Sequence, residues 1–465
     1  MTIYDKVRKA ITEYQLVQDG ELILAAVSGG PDSLAMLEIL YELKDEFNYQ
    51  LHVVHLNHKL RKEAKDEAEF VRQFAKSHEI PATILEYDIP ALLKEEGGSV
   101  QDKAREVRYR LFNRVAEKVG ATKIALGHHA DDLAETVLMR FLRGAGLEGL
   151  VGFTARSRGN LIRPLIYVTR EEIEAFCDEK GLTPCYDPSN AKPVYLRNRI
   201  RLKLIPMLEE EYNPNLRQQL VQMAHLLEEE NLILEEYVSR IFENVLIKEE
   251  PEVLSFDLNV MSKKKPAILR RILRLGMEKL KGDKKDFYYQ HYIKMQELIL
   301  QGSPGKMVYL PDGYILYKGY KMLRLGKKEE ILNQSLRQYT LTIPGETYLE
   351  ESDLLIKAEV KEGQVLVKKD QAALDADLLG TALLIRSRKP GDWFYPLGLK
   401  GKKKLKDFLI DEKVDRFERN LIPIVTTLDG QIVWVAGYRV DDRFKVTPKT
   451  QKTCILTILK GGIKR

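Results

Sequence analysis

The chain has 465 residues, 44% hydrophobic and 31% charged, and its 74 basic and 69 acidic side chains leave a net charge of +5. That composition excludes a disordered or collagen-like chain, and the length asks for two or three domains with room for a packed core. Three cysteines without CxxC spacing argue against disulfide frameworks, zinc ribbons and cysteine-ligated clusters, and so small a net charge leaves any case for nucleic acid to local clustering.

The opening MTIYDKVRKAITEY reads as an amphipathic helix with acidic residues, not as the apolar segment of a signal peptide. No run of about 18 apolar residues occurs, so a cytoplasmic protein without a membrane partner is expected. From Glu21 to Gly127 short apolar runs alternate with amphipathic stretches. ELILAAV (Glu21–Val27), LHVVHLNH (Leu51–His58), ATILEYDI (Ala82–Ile89) and KIALGHH (Lys123–His129) read as strands. The segments Asp32–Phe47, Glu63–Glu79 and Ser99–Gly120 read as helices. This alternation predicts an α/β domain with an open parallel sheet, in which ligands sit at the carboxyl ends of the strands. Ser28–Ser33 and Gly127–Glu135 fall at two such ends.

From Asn213 the texture changes. Leu216, Leu220, Met223, Leu226, Leu234, Val238, Ile241 and Val245 recur every three or four residues or at multiples of that spacing, which predicts one long helix. Helices over Pro266–Lys281 and Asp286–Leu300 and antiparallel strands from Tyr309 follow, giving a mainly helical middle domain at 211–335. Beyond it YTLTI, LLIKAEV, ALLIRSR, PIVTTL, QIVWVAG and CILTIL read as strands with one helix at LKDFLIDEKV, a small α+β C-terminal domain at 336–465. The first domain is then 1–210.

The turn Ser28-Gly29-Gly30-Pro31-Asp32-Ser33 joins the first strand to a helix. Gly29 and Gly30 tolerate φ > 0 and let backbone N–H groups approach an anion, the helix adds its positive end, and Ser28 and Ser33 add hydroxyls. Asp32 suits this place only if it binds Mg²⁺ or caps the helix. No GK[ST] lysine is present, so the turn suits a pyrophosphate and chemistry at an α-phosphate instead of a Walker site.

VSGGPDSLAML resembles the pyrophosphate loop of the ATP-pyrophosphatase (PP-loop, adenine nucleotide α-hydrolase-like) superfamily. VHLNHKLR, KAREVRYRLF, LGHHADDLAETVLMRFLRGAG, RPL (Arg163–Leu165), DPSN (Asp187–Asn190) and RNRIR (Arg197–Arg201) narrow this. Over roughly the first 205 residues they are similar to the tRNA(Ile)-lysidine synthetase family, and RSRKPGDWFYPLGLKGKKKLKDFL more weakly resembles its C-terminal domain. The resemblance implies ATP and Mg²⁺ as cofactors, with free L-lysine and an isoleucine tRNA bearing a CAU anticodon as partners. It implies adenylation at the wobble cytidine, displacement by the lysine ε-amine, and release of AMP and pyrophosphate. A homodimer is left open. A thiolating relative would want paired cysteines, a GMP or asparagine synthetase a further domain; a nucleotide fold kept only for RNA binding would not need both SGGPDS and DDLAET.

Against that chemistry, Asp132 and Glu135 share a helical face and are candidates to hold the lysine ammonium or to take its proton. An amine with a free pKa near ~10.4 needs such a base or a desolvated pocket. Asp131 either shares that role or joins Asp32 on Mg²⁺. His128 and His129 lack a third ligand at zinc spacing and suit the nucleotide pocket better, with His128 expected to bind the nucleotide. His55, Asn57 and His58 end a strand beside the loop where adenine would be read; His55 serves equally as a buried structural histidine. Arg105 and Arg108 on one helix, and Arg197 and Arg201, are candidates for phosphate contact or charge stabilisation. Arg105 and Arg201 are assigned to catalysis and Arg197 to tRNA.

For tRNA beyond the active site, Arg386, Arg388, Lys389, Lys400, Lys402, Lys403, Lys404 and Lys406 stand against the single acid Asp392 and interleave with Trp393, Phe394 and Tyr395. Basic and aromatic residues together suit RNA; the plain alternative is a solvated lysine turn beside a buried aromatic core. Arg388, Lys402, Lys403 and Lys404 are the named candidates. A second basic cluster, Lys263–Lys265 with Arg270, Arg271 and Arg274, lies on a helix that also packs.

Overall fold

The structure, a computed structural model, describes residues 1–59, 64–97, 99–157, 159–185, 193, 195–282, 287–365, 367–368 and 370–460. The chain divides into two compact units, Met1–Glu235 and Glu236–Arg465. Asp187–Asn190 of the DPSN string, Leu60 and Arg61, and the expected helix start at Asp286 lie outside the described residues.

In the first unit the elements run α1 (Ile3–Glu13), β1 (Leu22–Ala26), α2 (Pro31–Leu43), β2 (Gln50–Asn57), α3 (Ala64–Ser77), β3 (Ala82–Glu86), α4 (Ile89–Glu96), α5 (Val100–Val119), β4 (Lys123–Leu126), α6 (Ala130–Leu142), one-turn α7 (Leu147–Leu150), β5 (Leu161–Ile162) and α8 (Arg170–Glu179). The strands form one parallel sheet in the order β3-β2-β1-β4-β5. The order reverses between β1 and β4, and the crevice at such a switch point is where an open α/β sheet binds its ligand.

Alternation along the strands explains the two covered faces. Ile23 and Ala25 of β1 and Val53 of β2 point into a core shared with Leu34, Met36, Leu37 and Leu40 of α2. Leu24, Val54 and Ile124 point the other way, onto Phe112, Val115 and Ala116 of α5. Helix α2 is apolar nearly all round and accordingly buried on most of its surface. Its fully buried Leu37 contributes roughly 1.5–3 kcal/mol by burial, and Leu37→Ala would cost about 2–5 kcal/mol. Four expected strands are present; β4 ends at Leu126, so His128 and His129 lie in the turn beyond it. Neither α4 nor α8 was expected, and β5 is two residues long.

After α9 (Leu196–Arg199), a π-helical turn at Ile200–Leu204 and α10 (Ile205–Glu211), the long helix α11 (Leu216–Val245) is continuous, as its periodicity predicts, and the unit boundary falls within it. In the second unit, helices Pro266–Lys281 and Tyr289–Gln301 pack through Leu269, Ile272, Leu273, Met295 and Leu298 on a five-stranded antiparallel sheet. Two of its strands, Leu246–Glu250 and Val253–Asp257, were not expected; they pair as a hairpin turned at Pro251. Residues 336–460 form a five-stranded and a four-stranded antiparallel sheet. Leu341, Leu383, Ile385 and Val425 of one share a core with Leu349, Ile356, Leu374 and Leu456 of the other. Among the described residues no helix is long and apolar enough to cross a membrane.

Candidate active site

A cavity of about 550 Å³ opens at the carboxyl ends of β1, β2 and β4. Its lining includes Ser28, Gly30, Pro31, Asp32 and Ser33 from the first turn, His55, Asn57 and His58 from the second, and Gly127, His128 and Asp132 from the fourth. The two sequence strings singled out above therefore meet in one place.

The first turn is held by its own hydroxyls. Ser33 Oγ accepts from Ser28 N at 3.1 Å and donates to Gly30 O at 3.0 Å, and Ser28 Oγ lies 3.1 Å from Ser33 Oγ. Ser33 thus shapes the loop through its hydroxyl. Gly29 sits at φ +91°, which a side chain would strain, and its carbonyl accepts from Cys185 N at 2.9 Å. Gly127 is needed for a different reason: a Cβ there would stand 3.0 Å from the Asp32 carbonyl oxygen and 3.1 Å from Ser33 N. The end of β4 and the start of α2 touch backbone to backbone.

Helix α2 is capped by Gly30 with Pro31 in its first turn, so Asp32 is not the cap. Its Oδ1 is buried without a hydrogen-bond partner, and burial pushes its carboxyl above the ordinary range against the pull of His129. A carboxylate oxygen with no hydrogen bond, 3.7 Å from His129 Nε2 and beside a glycine turn, fits a divalent cation. Mg²⁺ asks for only one or two carboxylates plus phosphate oxygens. Asp131 does not fit that role. It is absent from the cavity lining, its Oδ2 accepts from Arg170 N at 2.8 Å, and its Oδ1 is 3.2 Å from Arg217 Nε. His129 is fully buried; desolvation works against its charge, yet Asp131, Asp132 and Asp32 hold its pKa above the usual value. Asp32, Asp131 and Asp132 stand 3.5–3.7 Å from its ring nitrogens, but among the described residues no three such groups are placed to hold a metal ion.

Asp132 and Glu135 are both buried and both engaged, and of the two only Asp132 lines the cavity. Arg197 Nη2 and Arg201 Nη2 donate to Asp132 Oδ1 at 2.8 and 2.9 Å, and Arg197 Nε donates to Glu135 Oε2 at 2.7 Å. Arg201 Nε closes the square on Glu135 Oε1. Two carboxylates and two guanidinium groups make a neutral set, in which Arg197 is the more exposed cation at 36%. Although burial opposes ionisation, His129, Arg197 and Arg201 hold Asp132 down at about 2. Arg197, expected on tRNA, belongs to this set.

The two arginines of α5 part company. Arg108 lines the cavity and its Nη2 lies 3.3 Å from His58 Nε2, whereas Arg105 stacks over Tyr109 at 5.0 Å and is not in the lining. Burial drives His58 to about 4 and His128 to about 3, so both rings are neutral. His55 Nδ1 is 2.8 Å from Val27 O, so that nitrogen carries the proton and Nε2, buried and unpartnered, offers a lone pair in the cavity wall. Sequence reading missed Arg170, which lines the cavity from the first residue of α8; its signal was the Thr169–Glu172 capping box that starts the helix.

The family described as PP-loop domain matches residues 2–208, and that described as TilS substrate C-terminal domain matches residues 383–456. A tRNA(Ile)-lysidine synthase of Caldanaerobacter subterraneus subsp. tengcongensis is 38% identical over 460 residues, 98% of this chain and 97% of the relative. The chain belongs to the tRNA(Ile)-lysidine synthase family. A Clostridium perfringens tRNA(Ile)-lysidine synthase is 34% identical over 467 residues, covering 97% and 98% of the two chains. A solved TILS C-terminal domain is 27% identical over 28% of this chain and all of that chain, with a TM-score of 0.25.

Within the family's C-terminal segment the tRNA candidates divide. Arg388 Nε donates to Asn420 Oδ1 at 2.9 Å and Lys403 Nζ pairs with Asp411 at 2.6 Å. Lys402 and Lys404 are exposed. Arg386 is buried in a double hydrogen bond to Asp392, at 2.8 and 3.0 Å, so it braces the turn from inside.

Proposed function

We propose that this member of the tRNA(Ile)-lysidine synthase family joins free L-lysine to C2 of the wobble cytidine of an isoleucine tRNA with a CAU anticodon, using ATP. The observation that carries this reading is the convergence of the Ser28–Ser33 turn and Asp132 on one cavity at the β1/β4 switch point. In the first step the cytidine O2 bonds to the α-phosphorus and the bond to pyrophosphate breaks. In the second the lysine ε-nitrogen bonds to C2, the C2–O bond breaks, and AMP leaves.

Each step has its residues. Backbone N–H groups of the turn and the positive end of α2 receive the pyrophosphate, and Arg108 offsets charge that grows on the phosphates. Mg²⁺, held by Asp32 and phosphate oxygens, would neutralise the departing pyrophosphate. His55 Nε2 and Asn57 face the adenine, where an acceptor lone pair matches an exocyclic amine. Asp132 and Glu135 receive the lysine ammonium as Arg197 gives way, and one of the two takes its proton before attack. Arg201 keeps the pair from carrying two uncompensated charges.

We assign 1–210 to catalysis and 211–335 and 336–465 to tRNA contact, and we place the protein in the cytoplasm, where its substrates are. The test is pyrophosphate release. It should require the CAU-anticodon isoleucine tRNA, fail with methionine tRNA, and fall at least a hundredfold in Asp32→Asn while tRNA affinity stays within about twofold. Release independent of tRNA would contradict the reading.

A further inference from the structure

The basic and aromatic run near the C-terminus separates into buried braces and one exposed ring. Phe394 is fully buried and meets Phe408 edge to face at 5.1 Å. Its neighbour Trp393 points the opposite way, as alternation in a strand requires, and is 36% exposed. A two-residue pairing of 393–394 with 403–404 sets Lys402 over the indole, with Nζ 3.5 Å from the ring centroid. Among the described residues Lys402 has no carboxylate partner. Arg443 lies 5.1 Å from the same indole and 5.2 Å from the Tyr395 ring. Unlike Lys402 it is fixed: Nη2 and Nε donate to fully buried Asp441 at 2.8 and 3.0 Å, and Nη1 donates to Gln431 at 2.9 Å.

An ammonium resting on an aromatic face is weakly held and is readily drawn off by a phosphate. The ring it leaves is flat, apolar and rigidly placed, which is what a nucleobase stacks on. Bases within a double helix do not offer their faces, so the matching occupant is an unpaired nucleotide. We propose that Trp393, Lys402 and Arg443 form a platform for one unpaired nucleotide of the substrate tRNA. The base lies on the indole and its phosphate between the ammonium and the guanidinium. This rests on tRNA being the substrate, as proposed above.

Intrinsic fluorescence of the full chain tests it, because the other of its two tryptophans, Trp434, is 2% exposed. Saturating tRNA should quench the emission, and Trp393→Phe should remove the quench while keeping most of the affinity. Trp393→Ala should weaken binding about tenfold, which is ~1.4 kcal/mol, without changing the salt slope. Lys402→Gln should instead lower that slope by about one phosphate. A tRNA trimmed of its unpaired 3′ nucleotides identifies the source: loss of the quench names the 3′ end, and retention names a loop. Unchanged emission at saturation, or Trp393→Ala binding within twofold of the parent, would overturn the platform and leave the proposed function standing. Failure of the unmodified chain to bind tRNA at all would overturn both.

Discussion

Replacing Gly127 by alanine perturbs the site without removing any functional group. The added Cβ would stand 3.0 Å from the Asp32 carbonyl oxygen, 3.1 Å from the Asp32 carbonyl carbon and 3.1 Å from Ser33 N. All three are backbone atoms at the start of α2, so none can rotate away. Restoring ordinary contact needs a shift of roughly half an ångström, and overpacking of this kind costs about 1–3 kcal/mol. For a unit of this size each kcal/mol moves the melting temperature by about 2–4 °C, giving a loss of roughly 2–12 °C. The same shift would move Asp32 and the loop amides away from the phosphate positions proposed above, so ATP affinity should fall about tenfold or more. Gly146→Ala is the control, since a Cβ there meets nothing within 4 Å and its φ is −80°. Calorimetric ATP titration and thermal melts of both variants read the outcome. If Gly127→Ala binds ATP and melts like Gly146→Ala, the backbone contact between the two turns has no role and the reasoning fails.

Three further outcomes are expected. Glu135→Gln leaves Arg197 and Arg201 with one carboxylate instead of two; because both arginines reach solvent, the loss should be about 1–3 kcal/mol in denaturant unfolding, with lysine transfer lost and ATP binding kept. Arg108→Gln should weaken ATP binding far more than Arg105→Gln, as only Arg108 faces the cavity; equal effects in titrations would remove the distinction. Asp132, held at about 2 in the folded chain against an ordinary 3.8, stabilises the fold above pH 4 by about 2 kcal/mol. A depressed folded-state pKa means that this contribution disappears as the pH falls from about 4 to 2, so Asp132→Asn should flatten the stability profile in that window.

What could be read from the chain and what could not follow a physical line. The Ser28–Ser33 turn and its place in the cavity wall were legible because the turn is built from consecutive residues, and its strand and helix flank it directly. Asp132 and Glu135 were legible as a pair through helical spacing. That Arg197 and Arg201 occupy them was not, since the partners lie 62 to 69 residues away and meet only through packing. Arg105 and Arg108 look equivalent on a helical wheel; Tyr109, beside Arg105, draws that guanidinium onto its ring. Likewise Asp131 and Asp132 are adjacent in sequence, but a helix turns them about 100° apart, one toward Arg217 and the other toward the cavity. A two-residue strand such as β5 carries too little pattern to be seen at all.

The central claim is that one cavity activates a tRNA base with ATP and then exchanges the activated oxygen for lysine. Labelled lysine offered with ATP and separate isoleucine and methionine tRNA transcripts, both with CAU anticodons, measures this directly. One lysine should be fixed per isoleucine transcript, with one AMP and one pyrophosphate released, and none on the methionine transcript. Pyrophosphate released without any lysine joining the RNA, or equal labelling of both transcripts, would contradict the account.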